Sequence, residues 1–305
     1  MPKRLVTAVA VLALAANVCN AAGLKLVRYG PPGAERPGLV DATGKIRDLS
    51  AHLSDIEGDS LSPESLERIA ALASDDLPLV DGNPRLGSPV SGVGKIIAVG
   101  FNYRDHVAET SAALPSEPVL FMKANTALSG PFDDILMPRG GVALDYEAEL
   151  AIVIGSKAQY VDEANALDYV AGFAVGHDVS ERVFQGARGG QFVKGKSADT
   201  FAPLGPWLVT TDGIADVQDL KIWSIVNGDK RQDSNTRYMI FSAAHIVSYV
   251  SQFMTLNPGD LIYTGTPAGV GAAQKPPAFL KPGDVVQIGI EGLGEQRQTV
   301  APPRE

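Results

Sequence analysis

From residue 95 onward, short apolar runs at 96–99, 119–122, 150–154, 170–175, 222–226, 261–264 and 285–290 are separated by turns rich in Gly, Pro and Asn. Runs of that length, bounded by such breakers, predict β-strands. Helical spacing is scarce. Its clearest instance is 242–255, where Ile246, Val247, Val250 and Phe253 form one apolar stripe behind a cap at Ser242. A second helix is predicted where Ser62 caps, Pro63 suits the first turn, and Leu66, Ile69, Ala70 and Ala73 recur at helical spacing. The pattern predicts a β-rich α+β fold with short helices and argues against a doubly wound parallel sheet.

The polar positions divide the chain further. Residues 1–22 read as a signal peptide: Lys3 and Arg4 are basic, residues 5–16 are apolar and residues 17–22 are small. The mature protein is therefore expected in the periplasm or outside the cell, with no membrane span once the leader is removed. Residues 23–80 are expected to form a small N-terminal domain with strands near 24–29 and 38–41. Residues 81–94 read as a linker and 95–305 as the main domain.

Composition narrows the chemistry. The one cysteine of the 305 residues, Cys19, lies in the leader, so the mature chain has neither thiolate chemistry nor disulfides. Acids outnumber Lys and Arg by 35 to 26, and no basic run is interleaved with aromatics, which excludes nucleic acid as a partner. A small anionic substrate would need a local positive site.

The candidate chemistry starts in residues 144–154, where Asp145, Glu147 and Glu149 alternate and so share one face of a strand. A second apolar run closes on Asp178. Carboxylates gathered at the ends of buried strands repel one another unless a cation neutralises them, and all-oxygen ligation suits Mg2+ or Mn2+, with Ca2+ compatible. His106 and Glu109 stand three apart after the run at 96–99, where a helical turn brings a carboxylate beside an imidazole and raises its basicity. The same spacing also describes a surface ion pair. Arg182 and Gln185 follow Asp178 by four and seven residues and could hold a substrate carboxylate or carbonyl, or simply begin an exposed helix.

Two glycine-bearing segments read differently. Residues 190–197, Gly-Gln-Phe-Val-Lys-Gly-Lys-Ser, match the phosphate-loop spacing, but no buried strand precedes them and prolines follow, so nucleotide binding is rejected. Lys194 or Lys196 could instead reach the acidic cluster. Residues 259–271 run from a strand into a glycine-rich turn whose hydroxyls and backbone NH groups can face an oxyanion. His52, His177 and His245 carry no comparable signal.

Taken together, Gly100-Phe101-Asn102-Tyr103 with His106 and Glu109, Asp145-Tyr146-Glu147-Ala148-Glu149, His177-Asp178-Val179-Ser180 with Arg182 and Gln185, Gly195-Lys196-Ser197 with residues 199–206, and residues 264–271 resemble the fumarylacetoacetate hydrolase superfamily. The bacterial sugar-acid and aromatic-catabolism members, including 2,4-diketo-3-deoxy-L-fuconate hydrolases and proteins labelled ureidoglycolate lyase, are the most similar. The resemblance implies a mixed β-roll main domain, a homodimer, and a divalent ion held by Glu147, Glu149 and Asp178. It implies His106 and Glu109 as a water-activating dyad, Lys196 as a lysine beside the metal, and Arg182, Gln185 and Thr266 as substrate contacts. Asp145 falls outside that set and is expected to be structural. The family commonly has Asn where this chain has His177.

The implied reaction is metal-dependent C–C cleavage of a 2,4-dioxo acid, an acylpyruvate, to a carboxylic acid and pyruvate. A lyase, decarboxylase or keto-enol isomerase on the same scaffold, or a non-catalytic periplasmic dicarboxylate binder, are the alternatives.

Overall fold

A computed structural model describes residues 23–110 and 112–304. The expected leader, residues 1–22, lies outside the described residues. The architecture is mixed α+β and strand-rich, with few short helices, as the sequence pattern predicts. Among the described residues no helix is long and apolar enough to cross a membrane.

One sheet has nine strands. Its order is Ile46–Asp48, Arg36–Val40, Lys25–Tyr29, Leu208–Thr210, Val170–His177, Ala148–Ile154, Leu261–Tyr263, Ile96–Gly100 and Val119–Lys123. Only the pair Leu261–Tyr263 and Ile96–Gly100 is parallel; the other neighbours are antiparallel. The N-terminal strands extend this sheet directly, because Lys25 and Leu26 pair with Val209 and Leu208.

At its centre, all seven residues of Ala148–Ile154 and all eight of Val170–His177 are buried. Each fully buried Leu or Ile there contributes about 2 kcal/mol as an upper figure. Burial on both faces explains why Ala151 and Val153 follow the acids on the acid-bearing face.

The second sheet orders Asp229–Asn235, Lys221–Val226, Val285–Ile290, Gly294–Ala301 and Ile135–Leu136. Its first hairpin turns at Asn227-Gly228, whose φ values of 52° and 90° suit a tight two-residue turn. Glutamines stitch the two sheets together. Gln296 donates to Val175 O at 2.6 Å, and Gln298 Oε1 lies 3.1 Å from His177 Nδ1. Gln232 accepts from Ala148 N at 3.0 Å.

Two expectations need correction. The segment 144–154 is not one strand: it breaks between Leu144–Asp145 and Ala148–Ile154, because Leu144–Asp145 pairs with Ser180–Glu181 instead of Val170–His177. The predicted helix at 242–255 ends earlier, as Ala243–Ser251, capped by Ser242, whose side chain accepts from His245 N at 3.0 Å. Phe253 therefore leaves the apolar stripe and is 63% exposed. The other predicted helix forms as Pro63–Ala70, with Ser62 as its cap, and Ala73 lies beyond its end.

Candidate active site

Strand register assembles the acids. Gly176 pairs with Glu149 and His177 with Ala148, so Asp178, the next residue, comes alongside Glu147 and its NH donates to Glu147 O at 3.0 Å. Glu147, Glu149 and Asp178 each offer a carboxylate oxygen within 4.8 Å of the others, and all three residues are buried. Leaving three carboxylates so close in a dry environment requires positive charge.

Three side chains supply part of it. Arg182, at the start of the helix Arg182–Gly186, donates from Nη2 to Glu147 Oε1 at 2.6 Å and from Nε to Asp145 Oδ2 at 2.8 Å. Lys196 Nζ bridges Glu147 Oε2 at 2.6 Å and Asp178 Oδ2 at 2.7 Å. Lys123, the last residue of Val119–Lys123, pairs with Asp178 Oδ1 and donates to Val179 O at 3.3 Å.

Sequence reasoning missed Lys123. A lysine closing an apolar strand usually points to water, and its partner Asp178 is 55 residues away, so no local signal could have found it.

The electrostatic balance singles out Glu149. Burial works to raise the Glu147 pKa, but Arg182 and Lys196 outweigh it and hold the carboxyl well below its usual range. Burial likewise works against the Lys196 charge, and Asp178 and Glu147 overcome it, so its pKa rises. For Lys123 burial wins and the pKa falls. Among the described residues Glu149 accepts only the backbone NH of Gly265, at 2.8 Å; burial and the charges of Asp178 and Glu147 push its pKa far up. Three buried carboxylates, one lacking a cationic partner, fit a hard divalent ion, and Glu147, Glu149 and Asp178 are the residues that would hold it.

Asp145 stands apart. It accepts Arg182 Nε, the NH of Gly271 at 2.7 Å and the NH of Ala272 at 2.9 Å, so it fastens the glycine-rich turn to the arginine that holds Glu147.

The predicted dyad is present. His106 and Glu109 lie on the helix Arg104–Thr110 with Nδ1 and Oε1 2.7 Å apart, and the second Glu109 oxygen accepts Gly269 NH at 2.9 Å. Gly269 has φ 110°, and a Cβ there would come within 2.0 Å of Arg231 O, so the turn that reaches Glu109 needs glycine. His106, Glu109 and the three acids line one cavity of about 550 Å³ together with Arg182, Gln185, Lys196 and Thr266.

Within that cavity the expected substrate contacts differ in what they can offer. Gln185 accepts from Arg182 Nη1 at 3.1 Å through its oxygen, which leaves its amide NH2 for a ligand. The Thr266 hydroxyl already donates to Ala148 O at 2.9 Å and accepts from Gln232 at 2.8 Å. Gln232 was not legible as a support because its strand, Asp229–Asn235, is polar throughout. Of the two lysines in the phosphate-loop-like segment, Lys196 reaches the acids, whereas Lys194 binds Arg188 O at 2.8 Å on the surface.

Comparison with known proteins identifies the family of the chain. Residues 95–301 match the family described as fumarylacetoacetate (FAA) hydrolase C-terminal. A Burkholderia multivorans protein described as a candidate hydrolase is 55% identical over 276 residues, covering 90% of this chain and 98% of the relative. The fumarylacetoacetate hydrolase of Exiguobacterium antarcticum superposes with TM-score 0.80 at 38% identity, covering 92% of this chain and 100% of its own. The maleylpyruvate hydrolase of Sphingobium sp. SYK-6, solved with manganese(II) and pyruvate, superposes with TM-score 0.77 at 31% identity over the same shares. On the matched domain, the fold and these similarities, the chain belongs to the fumarylacetoacetate hydrolase family.

Proposed function

We propose that this protein is a divalent-metal-dependent hydrolase that cleaves a 2,4-dioxo acid to a carboxylic acid and pyruvate. The carrying observation is that a His–Glu pair and a buried carboxylate triad face one cavity, so a proton acceptor and a cation seat address the same substrate. A divalent ion held by Glu147, Glu149 and Asp178 would supply Lewis-acid stabilisation of negative charge developing on the 2-oxo acid half.

The chain's own groups do the rest. Glu109 holds the Nδ1 proton of His106, leaving Nε2 to take a proton from water as its oxygen adds to C4. The C3–C4 bond then breaks, its electron pair moves to the pyruvate half, and Lys196 Nζ returns a proton to C3. Arg182 orients Glu147, and the Gln185 NH2 donates to a substrate oxygen.

The test is turnover of acetylpyruvate, oxaloacetate and a 2-hydroxydienoate with Mg2+ or Mn2+, before and after chelation. Metal-dependent release of pyruvate from acetylpyruvate is expected, lost in His106→Ala. Full turnover by His106→Ala would overturn the dyad, and metal-dependent binding without turnover of any of the three would favour a binder.

A second reading has specific support. Solved neighbours at 32% identity are named 2-hydroxyhepta-2,4-diene-1,7-dioate isomerase, from Mycobacterium marinum, and 5-carboxymethyl-2-hydroxymuconate delta-isomerase, from Mycobacterium smegmatis. Isomerisation needs only proton transfer at the same enolate, so rearranged 2-hydroxydienoate without pyruvate would select it.

Export through the leader and a homodimer complete the proposal, checked by N-terminal sequencing of the periplasmic fraction and by light scattering.

A further inference from the structure

Lys196 carries a buried ammonium with two hydrogen-bond partners, Glu147 Oε2 at 2.6 Å and Asp178 Oδ2 at 2.7 Å. An ammonium has three N–H donors, so one is left without a hydrogen-bond partner among the described residues. Beside it stands the ring of Phe121, whose centroid is 5.2 Å from Nζ, within the range of a cation–π contact. Both residues line the cavity that holds His106.

The ring is held from two directions. Phe121 pairs with Ala98 across the strands Val119–Lys123 and Ile96–Gly100, and its ring meets that of Phe192 edge to face, with centroids 5.5 Å apart and planes at 69°. Two residues further along the same strand, Lys123 pairs with Asp178 Oδ1, while Lys196 holds Asp178 Oδ2. One strand thus sets the ring beside Lys196 and braces the carboxylate that Lys196 binds.

An aromatic face does for an ammonium what a polar group in its place would not. A carbonyl, a carboxylate or a water would take up the third N–H in a full hydrogen bond. A ring attracts the positive charge through its quadrupole and accepts hydrogen bonds only weakly. The charge is held and the proton stays available.

We propose that Phe121 is a positioning residue for Lys196: its ring fixes the ammonium without binding its third N–H, which is left for C3 of the substrate. This rests on the reading of Lys196 as the group that returns a proton to C3; it adds what keeps that proton free.

The experiment follows the proton without C–C cleavage. In D2O, with Mg2+ and the full chain, a C3 hydrogen of pyruvate passes as a proton to the Lys196 amine and leaves the enolate; the ammonium then exchanges with solvent and returns a deuteron to C3. Mass spectrometry of pyruvate reads this exchange in wild type, Phe121→Leu, Phe121→Tyr and Lys196→Gln, and calorimetry reads pyruvate affinity. At saturating pyruvate the exchange rate of Phe121→Leu is expected to fall roughly threefold to thirtyfold, the scale of a partly to fully desolvated cation–π contact, with affinity kept within about twofold. Phe121→Tyr, which keeps the aromatic face, should restore the rate. In chelator, the ring current of Phe121 should shift the Lys196 ε-methylene protons upfield in the NMR spectrum of the wild type.

Exchange in Phe121→Leu at the wild-type rate, an equal fall in Phe121→Leu and Phe121→Tyr, or the lack of an upfield shift in the wild type overturns the role of Phe121 and leaves that of Lys196 standing. Undiminished exchange in Lys196→Gln overturns Lys196 as the proton donor, and the role of Phe121 with it.

Discussion

The ring of Phe101 lies against the imidazole of His106, with centroids 5.9 Å apart and planes at 19°. Phe101 reaches that position with φ 56°, in the left-handed region that a bulky residue rarely adopts, at the junction between Ile96–Gly100 and the helix bearing the dyad. Strain retained at such a junction points to a constraint on the side chain. Phe101→Leu keeps an apolar wall but loses the stacking, so kcat should fall roughly two- to tenfold, matching the ~0.5–1.5 kcal/mol of an aromatic pair. Thermal denaturation should move little. Steady-state kinetics with unchanged kcat would remove Phe101 from any role in placing His106.

Asp145 and Glu147 share Arg182 but serve different ends. Asp145 holds a turn and an arginine, whereas Glu147 belongs to the triad. Asp145→Asn should retain Mn2+ affinity within about tenfold, and Glu147→Gln should lose more than that, since it removes a ligand charge. Calorimetric titration of the two variants compares them directly. Equal losses would count against the assigned triad.

Lys123 and Asp178 form a buried pair whose partners cannot be removed singly without penalty. Lys123→Met leaves Asp178 with Lys196 as its remaining cation among the described residues, so the loss should fall below the about 3–5 kcal/mol of fully breaking a buried pair. A divalent ion bound by Asp178 would offset part of that charge. The variant should therefore melt lower than wild type in chelator and gain more from Mn2+. Equal gains in the two proteins would show that the ion does not neutralise Asp178.

His177 gives a pH signature. It is fully buried, its Nδ1 is 3.1 Å from Gln298 Oε1, and its Nε2 has no partner among the described residues. Burial depresses its pKa to about 3. The unfolded chain, with a value near ~6.5, takes up a proton first, so the neutral ring's contribution is complete above pH ~6.5 and is lost as pH falls toward 3. Between pH 7 and 5 this amounts to about 2 kcal/mol. Urea denaturation of His177→Asn should show a correspondingly shallower loss over that interval; an unaltered slope would mean that the ring is already protonated in the fold.

Much of this was legible in the chain because apolar runs and acids at strand ends follow a short period. Glu147, Glu149 and Asp178 converge because the register of two buried strands brings them together, and His106 meets Glu109 through one helical turn.

What escaped the sequence were polar groups turned inward. Gln232, Gln296 and Gln298 are buried in strands that read as surface, and Lys123 ends a strand where a lysine ordinarily meets water. Each is set by a partner distant in sequence, as Lys123 is by Asp178 and Gln298 by Pro131, and local pattern carries no trace of such a partner. The break at Tyr146 and Glu147 escaped for the same reason, since it follows from Leu144 and Asp145 pairing with Glu181 and Ser180.

Asp145 ties two parts of the cavity wall together, holding Arg182 with one oxygen and the NH groups of Gly271 and Ala272 with the pair. That makes it a fixed hinge pin between the chemistry and the segment that follows. Insertions or deletions between residues 273 and 277 would reshape that wall of the cavity while Glu147 stays where it is. A lineage could exchange one acyl group for another there, leaving the bond-breaking residues untouched.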